Sequence, residues 1–303
     1  MGHWIVTAED GGTRLDLWLA QRAGMSRKLA KQQLDAGRVA INGRRVAIAK
    51  WSLKAGDRVA CHAARTPQER ERRLSHRRID VLFEDRDLIA VAKAPGMLAV
   101  ATSTTSEPTM VDQVRAYLRR RHPGARGTYA RPLHRLDRDT SGILLLAKSR
   151  AGEGAIALFK AHKIAREYLA IVRGGVEQSD GTIDLPLTKG EFGHGRKVMP
   201  AACGKSAVTH FHVEERYPAA TLLRLRVETG RTHQIRVHCA AIGHPVLGDR
   251  RYGPPDDPLP VERLTLHAAR LAFRHPVTGA KVDLALPLPD DLTAIIEHLR
   301  ETV

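Results

Sequence analysis

The sequence predicts an α+β protein in three stretches: a small N-terminal α+β domain over 1–62, a charged linker over 63–78, and a larger domain over 79–303. The larger domain is expected to carry a mixed, largely antiparallel sheet. Three observations lead there. After residue 78, apolar runs of strand length outnumber helical stretches and often follow one another directly, which does not suit a doubly wound parallel sheet. An Asn42-Gly43 pair between two apolar runs marks a tight hairpin in the N-terminal part. The stretch 63–78 is polar and charged with little apolar periodicity, as a linker is.

The elements follow in chain order. Leu15, Trp18 and Leu19 have the i, i+3, i+4 spacing of an amphipathic helix. Ser26 reads as the N-cap of a second helix ending near Gly37, with Arg27, Lys28 and Lys31 close together and Leu29 and Leu34 available to pack. The hairpin spans 38–46, with Arg44 and Arg45 just past its turn, and a short strand is expected over 58–60. In the larger domain, 79–83 and 88–93 read as adjacent strands, followed by a helix with Val111, Val114 and Leu118 on one face. A helix is expected near 152–162. Strands are expected over 168–172, 206–214, 221–228, 263–273 and 281–286. Tyr168, Ala170 and Val172 share one strand face. A helix entered after Gly230 has Ile235, Cys239 and Ile242 as its apolar side and Arg236 on another. No internal repeat is present.

Composition narrows the partners. The net charge is +16, and residues 1–80 hold 17 Lys+Arg against 8 Asp+Glu. An excess this large points to a polyanionic partner. Aromatic residues are only 4%, so nucleic-acid binding would rest on phosphate contacts more than on stacking. Cys61, Cys203 and Cys239 are widely separated, with no Cys-x-x-Cys, which favours a reducing compartment. The start lacks the features of a signal peptide and no apolar run approaches membrane-spanning length, so a soluble, cytoplasmic protein is expected.

The chain centres on 131–148, Arg-Pro-Leu-His-Arg-Leu-Asp-Arg-Asp-Thr-Ser-Gly-Ile-Leu-Leu-Leu-Ala-Lys. The uncharged run from Gly142 to Ala147 suits a strand buried on both faces, and the polar loop before it holds Asp137 among Arg135, Arg138 and Asp139. A carboxylate beside guanidiniums stays ionised, as a nucleophile or electrostatic stabiliser must. Asp137 and Asp139 also form a possible carboxylate pair for glycosidase chemistry, though such an enzyme rarely needs so basic a surface. Gly204-Lys205-Ser206 lacks the earlier glycine of a phosphate loop, its place being taken by Met199. His210 and His212 have no third ligand at metal spacing, so no metal is expected.

The string His134-Arg135-Leu136-Asp137-x-x-Thr140-Ser141-Gly142 with its aliphatic run resembles the signature of the RluA family of RNA pseudouridine synthases. The resemblance extends over nearly all of 79–303, including 166–170, 228–238, 244–253 and 266–271. It departs at Lys93-Ala94-Pro95-Gly96, where the family more often has Lys-Pro-x-Gly. It implies an isomerase that cleaves the N-glycosidic bond of uridine, rotates the uracil and joins its carbon five to the sugar, with no cofactor. Asp137 falls on the nucleophile, toward either the sugar or the base. Tyr168 falls on the active-site tyrosine, and Arg236 on the arginine that pairs with the aspartate. Arg135 is assigned a role in extruding the base, and His134 is grouped with it as a substrate contact. The two helices and hairpin resemble the RNA-binding domain of the S-four ribosomal-protein type, with Arg27, Lys28, Lys31, Arg44 and Arg45 as its RNA contacts. Structured RNA is the expected partner, large-subunit ribosomal RNA foremost and transfer RNA as the alternative. A non-catalytic ribosome-assembly factor would share the charge and the N-terminal domain, but has no reason to keep Asp137, Tyr168 and Arg236 together.

Overall fold

The computed structural model describes residues 2–35, 38–46, 48–62, 78–101, 107–123, 128–192, 195–254, 259 and 261–301. The linker expected over 63–78 therefore lies outside the described residues except for Arg78, and so does Gly37. The chain divides into two compact units, one of residues 1–77 with 100–120, the other of residues 78–99 with 121–303. The helix around Val114, expected in the larger part, thus groups with the N-terminal residues. Linear composition reveals the charged stretch but not which body a helix joins.

In the first unit, strand β1 (His3–Ile5), helices α1 (Leu15–Arg22) and α2 (Arg27–Asp35), and strands β2 (Val39–Ile41), β3 (Arg44–Arg45) and β4 (Arg58–Cys61) build an antiparallel sheet in the order β1-β4-β2-β3. Leu15, Trp18, Leu19, Ala30 and Leu34 are buried against Val39, Ile41 and Val59. Ser26 caps α2 as expected, its Oγ accepting the Leu29 N–H at 3.2 Å. Leu29 itself corrects the sequence reading. It is 40% exposed, because Ala30, Gln33 and Leu34 form the buried side of α2. Helix α3 (Met110–Arg121) opens with a capping box in which the Asp112 carboxylate accepts the N–H and hydroxyl of Thr109.

The second unit is organised by one ten-stranded sheet. Its strands are β5 (Val81–Glu84), β6 (Leu88–Lys93), β7 (Arg131–Pro132), β8 (Ser141–Ala147), β9 (Ala165–Arg173), β10 (Asp180–Asp184), β13 (Val208–Arg216), β14 (Ala220–Val227), β15 (Leu266–Arg274) and β16 (Lys281–Ala285). The main order is β10-β13-β14-β9-β15-β8-β6-β5, with β7 on β8 and β16 on β15. Every pairing is antiparallel except β15 with β8. A separate hairpin joins β11 (Leu187–Phe192) to β12 (Gly195–Pro200). Short helix α4 (Ala155–Lys160), α5 (Gln234–Ala241) and the C-terminal α6 (Asp290–Glu301) complete the unit. The sequence reading did not include β1, β7, β10 or this hairpin, which carry few apolar residues or are very short, and it passed over α6, whose Leu292, Ile296 and Leu299 have helical spacing.

The expected alternation along β9 holds. Ala170 and Val172, with Tyr168, pack toward Ile235 and Cys239 of α5, while Ile171 and Leu169 pack toward Ile296 and Leu299 of α6. All seven residues of β8 are buried, so the strand that ends the signature loop is held on both faces. Gly142 is required there. Its φ is +123°, and a Cβ would lie 2.4 Å from the backbone oxygen of Ala268, where β8 crosses β15.

Candidate active site

Sheet register brings the first elements of the site together. Tyr168 pairs with Ala268, and Ala268 pairs with Gly142, so the tyrosine and the end of the 133–140 loop lie in one row across three strands. The loop is tied down at both ends. His134 accepts the Leu145 N–H at its Nε2 (3.0 Å) and stacks on Phe159. Burial, and then the charge of Arg166, push its pKa down to about 3, so the imidazole is neutral and committed to holding the loop.

Lys93 holds the other end. It is 1% exposed, and its Nζ donates to the carbonyls of Ala94, Met97 and Arg138 at 2.8–2.9 Å. Burial lowers its pKa to about 8 against the opposing pull of Asp139 and Asp137. The unusual Lys-Ala-Pro-Gly turn is therefore clamped to the loop by one buried ammonium. The three carbonyl partners offset part of the cost of desolvating its charge.

Asp137 lies at the boundary of two cavities with its side chain 16% exposed. The guanidinium facing it is not a sequence neighbour. Arg236 Nη1 stands 3.6 Å from Asp137 Oδ2, and His233 Nε2 stands 3.8 Å from the same oxygen. Arg135 is exposed, and Arg138 reaches toward the Gly96 carbonyl. Arg236, far from being an exposed helix residue, is buried, because Asp249 accepts its Nε and Nη2 in a two-pronged bond at 2.7 Å each. Asp249 also accepts the backbone N–H groups of Arg251 and Tyr252. Burial works to raise the Asp249 carboxyl, but the Arg236 bonds and charge prevail and hold it below its ordinary value. Burial likewise works to lower Arg236, and Asp249 raises it. Asp249 turns two prongs of the guanidinium inward and leaves the third for Asp137.

The turn that launches α5 is fixed by Gln234. Its Oε1 accepts the Thr229 hydroxyl and the Arg231 N–H, and its Nε2 donates to Val208 O and Thr209 Oγ1. His233 then takes a left-handed φ of +56° and faces Asp137. The first cavity, of about 470 Å3, is walled by Leu133, Leu136, Tyr168, Ile235 and Leu266, with Asp137 and Arg166 among its polar groups. Burial raises the Tyr168 phenol, with Arg166 opposing. The second cavity shares Arg135, Asp137, His233 and Arg236 and adds Arg138, Lys197, Arg250, Arg251 and Arg263 against Asp139 and Glu262. A cavity large enough for a nucleobase, with one apolar wall, thus adjoins a cationic recess suited to phosphates. No group of His, Cys, Asp or Glu among the described residues has metal-binding geometry. His210 bonds Thr182 and Glu228, and His212 bonds Asp180.

The architecture of this site has known counterparts. Residues 87–241 match the family model described as RNA pseudouridylate synthase, and residues 13–59 match that of the S4 domain. An uncharacterised RNA pseudouridine synthase of Bacillus subtilis strain 168, YlyB, is 37% identical over 97% of this chain and 96% of its own length. The chain belongs to the RNA pseudouridylate synthase family. This pseudouridine synthase is also 35% identical to ribosomal large subunit pseudouridine synthase C of Escherichia coli K12, over 97% of this chain and 95% of the relative. The fold agrees with human RNA pseudouridylate synthase domain containing 1, at a TM-score of 0.57 and 28% identity over 74% of this chain and 96% of that one. The synthase is an isomerase acting on RNA, with an α+β fold and an N-terminal S4 domain.

On that S4 domain, α2 carries Arg27, Lys28 and Lys31, all exposed. Arg27 is partly engaged within the domain, its Nε lying 3.1 Å from Asp16. The side chains of Arg44 and Arg45 lie outside the description, though both residues are in β3. No helix among the described residues is long and apolar enough to cross a membrane. Sequence reasoning missed Lys93, His233, Asp249 and Tyr252 as site residues. His233, Asp249 and Tyr252 stand inside the quoted family segments and Lys93 at the quoted departure, but spacing does not reveal that 236 and 249 meet.

Proposed function

We propose that this synthase isomerises specific uridines of large-subunit ribosomal RNA in the cytoplasm, with Asp137 as nucleophile. The observation that carries the assignment is the setting of Asp137, between a cavity of about 470 Å3 with an apolar wall and an arginine-rich recess, with Arg236 3.6 Å away. A uridine extruded from a stem would place its uracil in the cavity against Tyr168 and its phosphates in the recess. Asp137 attacks the sugar or the base ring, and the bond between N1 and the sugar breaks. The uracil rotates, carbon five bonds to the sugar, the bond to Asp137 breaks and returns its carboxylate, and the carbon-five proton is lost with Tyr168 taking part. N1 ends with a proton, so the product is an isomer and no external group enters. Arg236, with Nη1 3.6 Å from Oδ2, orients Asp137 for the attack. Ribosomal specificity is supported by relatives named for the large ribosomal subunit, among them the synthase D of Vibrio parahaemolyticus, 34% identical over 96% of this chain and 92% of that relative. The proposed division of labour gives RNA capture to 1–62 and isomerisation to 79–303.

Asp137→Asn tests the chemistry. The amide keeps the shape but lacks the anionic oxygen, so single-turnover product on transcribed ribosomal RNA should vanish while RNA affinity stays near wild type. Product at an appreciable fraction of the normal rate would remove Asp137 from the role. Mapping pseudouridines in cells with and without the protein identifies the RNA and the position.

A further inference from the structure

We infer that Tyr252 is a positioning residue for the nucleophile, locking His233 into the tautomer that directs an N–H at Asp137. The inference rests on the reading of Asp137 as nucleophile and adds what holds that carboxylate in one orientation. The argument is one of donors and acceptors. The Val198 N–H, from β12, donates to the Tyr252 hydroxyl oxygen at 3.2 Å. The same hydroxyl lies 2.8 Å from His233 Nδ1. With its oxygen accepting from Val198, the phenol has its own proton free for Nδ1, and with that proton placed there Nδ1 is the acceptor nitrogen of the ring. A neutral imidazole with Nδ1 accepting carries its hydrogen on Nε2, and that nitrogen faces Asp137 Oδ2 at 3.8 Å. Burial favours the neutral ring against the pull of Asp137.

The opposite tautomer would set a lone pair against the carboxylate. The tyrosine therefore decides whether His233 attracts or repels the nucleophile. Its ring makes a second contribution, lying under Arg236 with the guanidinium carbon 5.2 Å from the ring centre, and edge-on to His233 at 5.6 Å. Both groups that face Asp137 thus rest on one phenol, and both reach Oδ2. Two N–H groups aimed at one oxygen from 3.6 and 3.8 Å bias the carboxylate toward one rotamer and leave Oδ1 open to attack. Contacts of this length in a substrate-free site tighten when the substrate is in place.

The test compares full-length wild type with Tyr252→Phe, His233→Asn and the double variant. Phenylalanine keeps the ring under Arg236 and removes only the hydroxyl. Asparagine tolerates the left-handed backbone at 233 but has no atom at the Nε2 position. Imidazole 15N spectra of the wild type, with the His233 signals assigned by their loss in His233→Asn, should show the hydrogen on Nε2, and Tyr252→Phe should mix the tautomers. Single-turnover rates at saturating enzyme should fall about tenfold in Tyr252→Phe, with RNA affinity within about twofold of wild type. The double variant should be no slower than His233→Asn, since both changes break the same chain of bonds. A hydrogen on Nδ1 in the wild type overturns the proposal, whether or not Tyr252→Phe folds. So does an unchanged rate in Tyr252→Phe, or losses that multiply in the double variant. Asp137→Asn run alongside separates the two levels. An active Asp137→Asn defeats the nucleophile reading itself, whereas an inactive one beside a fully active Tyr252→Phe defeats the relay alone.

Discussion

Asp249→Asn is the perturbation that most directly probes how the site is held. The native carboxylate has no exposed surface and accepts both inward prongs of Arg236 at 2.7 Å. The amide has the same shape but presents N–H donors where Arg236 also donates, leaving a buried guanidinium short of a partner. Breaking a buried pair in this way costs about 3–5 kcal/mol. At roughly 2–4 °C per kcal/mol for a domain of this size, the melting temperature should fall by roughly 6–20 °C. The pH dependence follows from the sign of the shift. The folded Asp249 pKa lies below its ordinary 3.8, so its contribution is present above that value and is lost as pH falls through the folded one. The variant should accordingly lose less stability than wild type when taken below about pH 4. At 25 °C, where it remains folded, the single-turnover rate should drop about 100-fold, because Arg236 no longer holds its third prong toward Asp137. Calorimetry of the full chain and single-turnover kinetics check both numbers. A melting temperature within a degree or two of wild type, with a rate within about twofold, would refute the reasoning.

Gly142→Ala should destabilise the protein by roughly 2–5 kcal/mol, since φ of +123° and a contact of 2.4 Å with Ala268 leave no room for a methyl group; denaturant titration measures it. Arg135→Ala should slow reaction far more on a stem-embedded uridine than on the same uridine in an unpaired loop, if the exposed side chain fills the space of the extruded base. Equal slowing on the two RNAs would indicate a phosphate contact instead. Replacing exposed Lys28 and Lys31 together by Ala should lower the slope of log affinity against log salt by about 1.4–1.8, two phosphate contacts' worth. An unchanged slope would mean that this face of α2 does not meet RNA.

Much of this protein was legible from residue patterns because the relevant forces are local or periodic. The i, i+3, i+4 spacing of Leu15, Trp18 and Leu19, the Ser26 cap and the Asn42-Gly43 turn each specify backbone geometry within a few residues. The charge-free run at 142–147 announced a strand buried on both faces, and β8 is that strand. The signature string marked Asp137, and the alternation along β9 put Tyr168 on the side that faces α5. Chain-local reading failed where a residue's partner is far along the sequence. It set Asp137 beside Arg135 and Arg138, its neighbours in the chain, yet the fold turns those outward and brings in Arg236 and His233 from about a hundred residues away. It left Lys93 as a strand-end lysine, whereas its own turn supplies that ammonium with the carbonyls of Ala94 and Met97 and the signature loop adds that of Arg138. The sequence by itself determined which residues have the chemistry to act: the carboxylate, the phenol and the guanidinium, along with the elements that bear them. Only the tertiary structure decided which oxygen of Asp137 faces Arg236 and His233, and which prong of Arg236 lies outside its bond to Asp249. Sheet register and helix packing set distances between side chains that no spacing along the chain encodes.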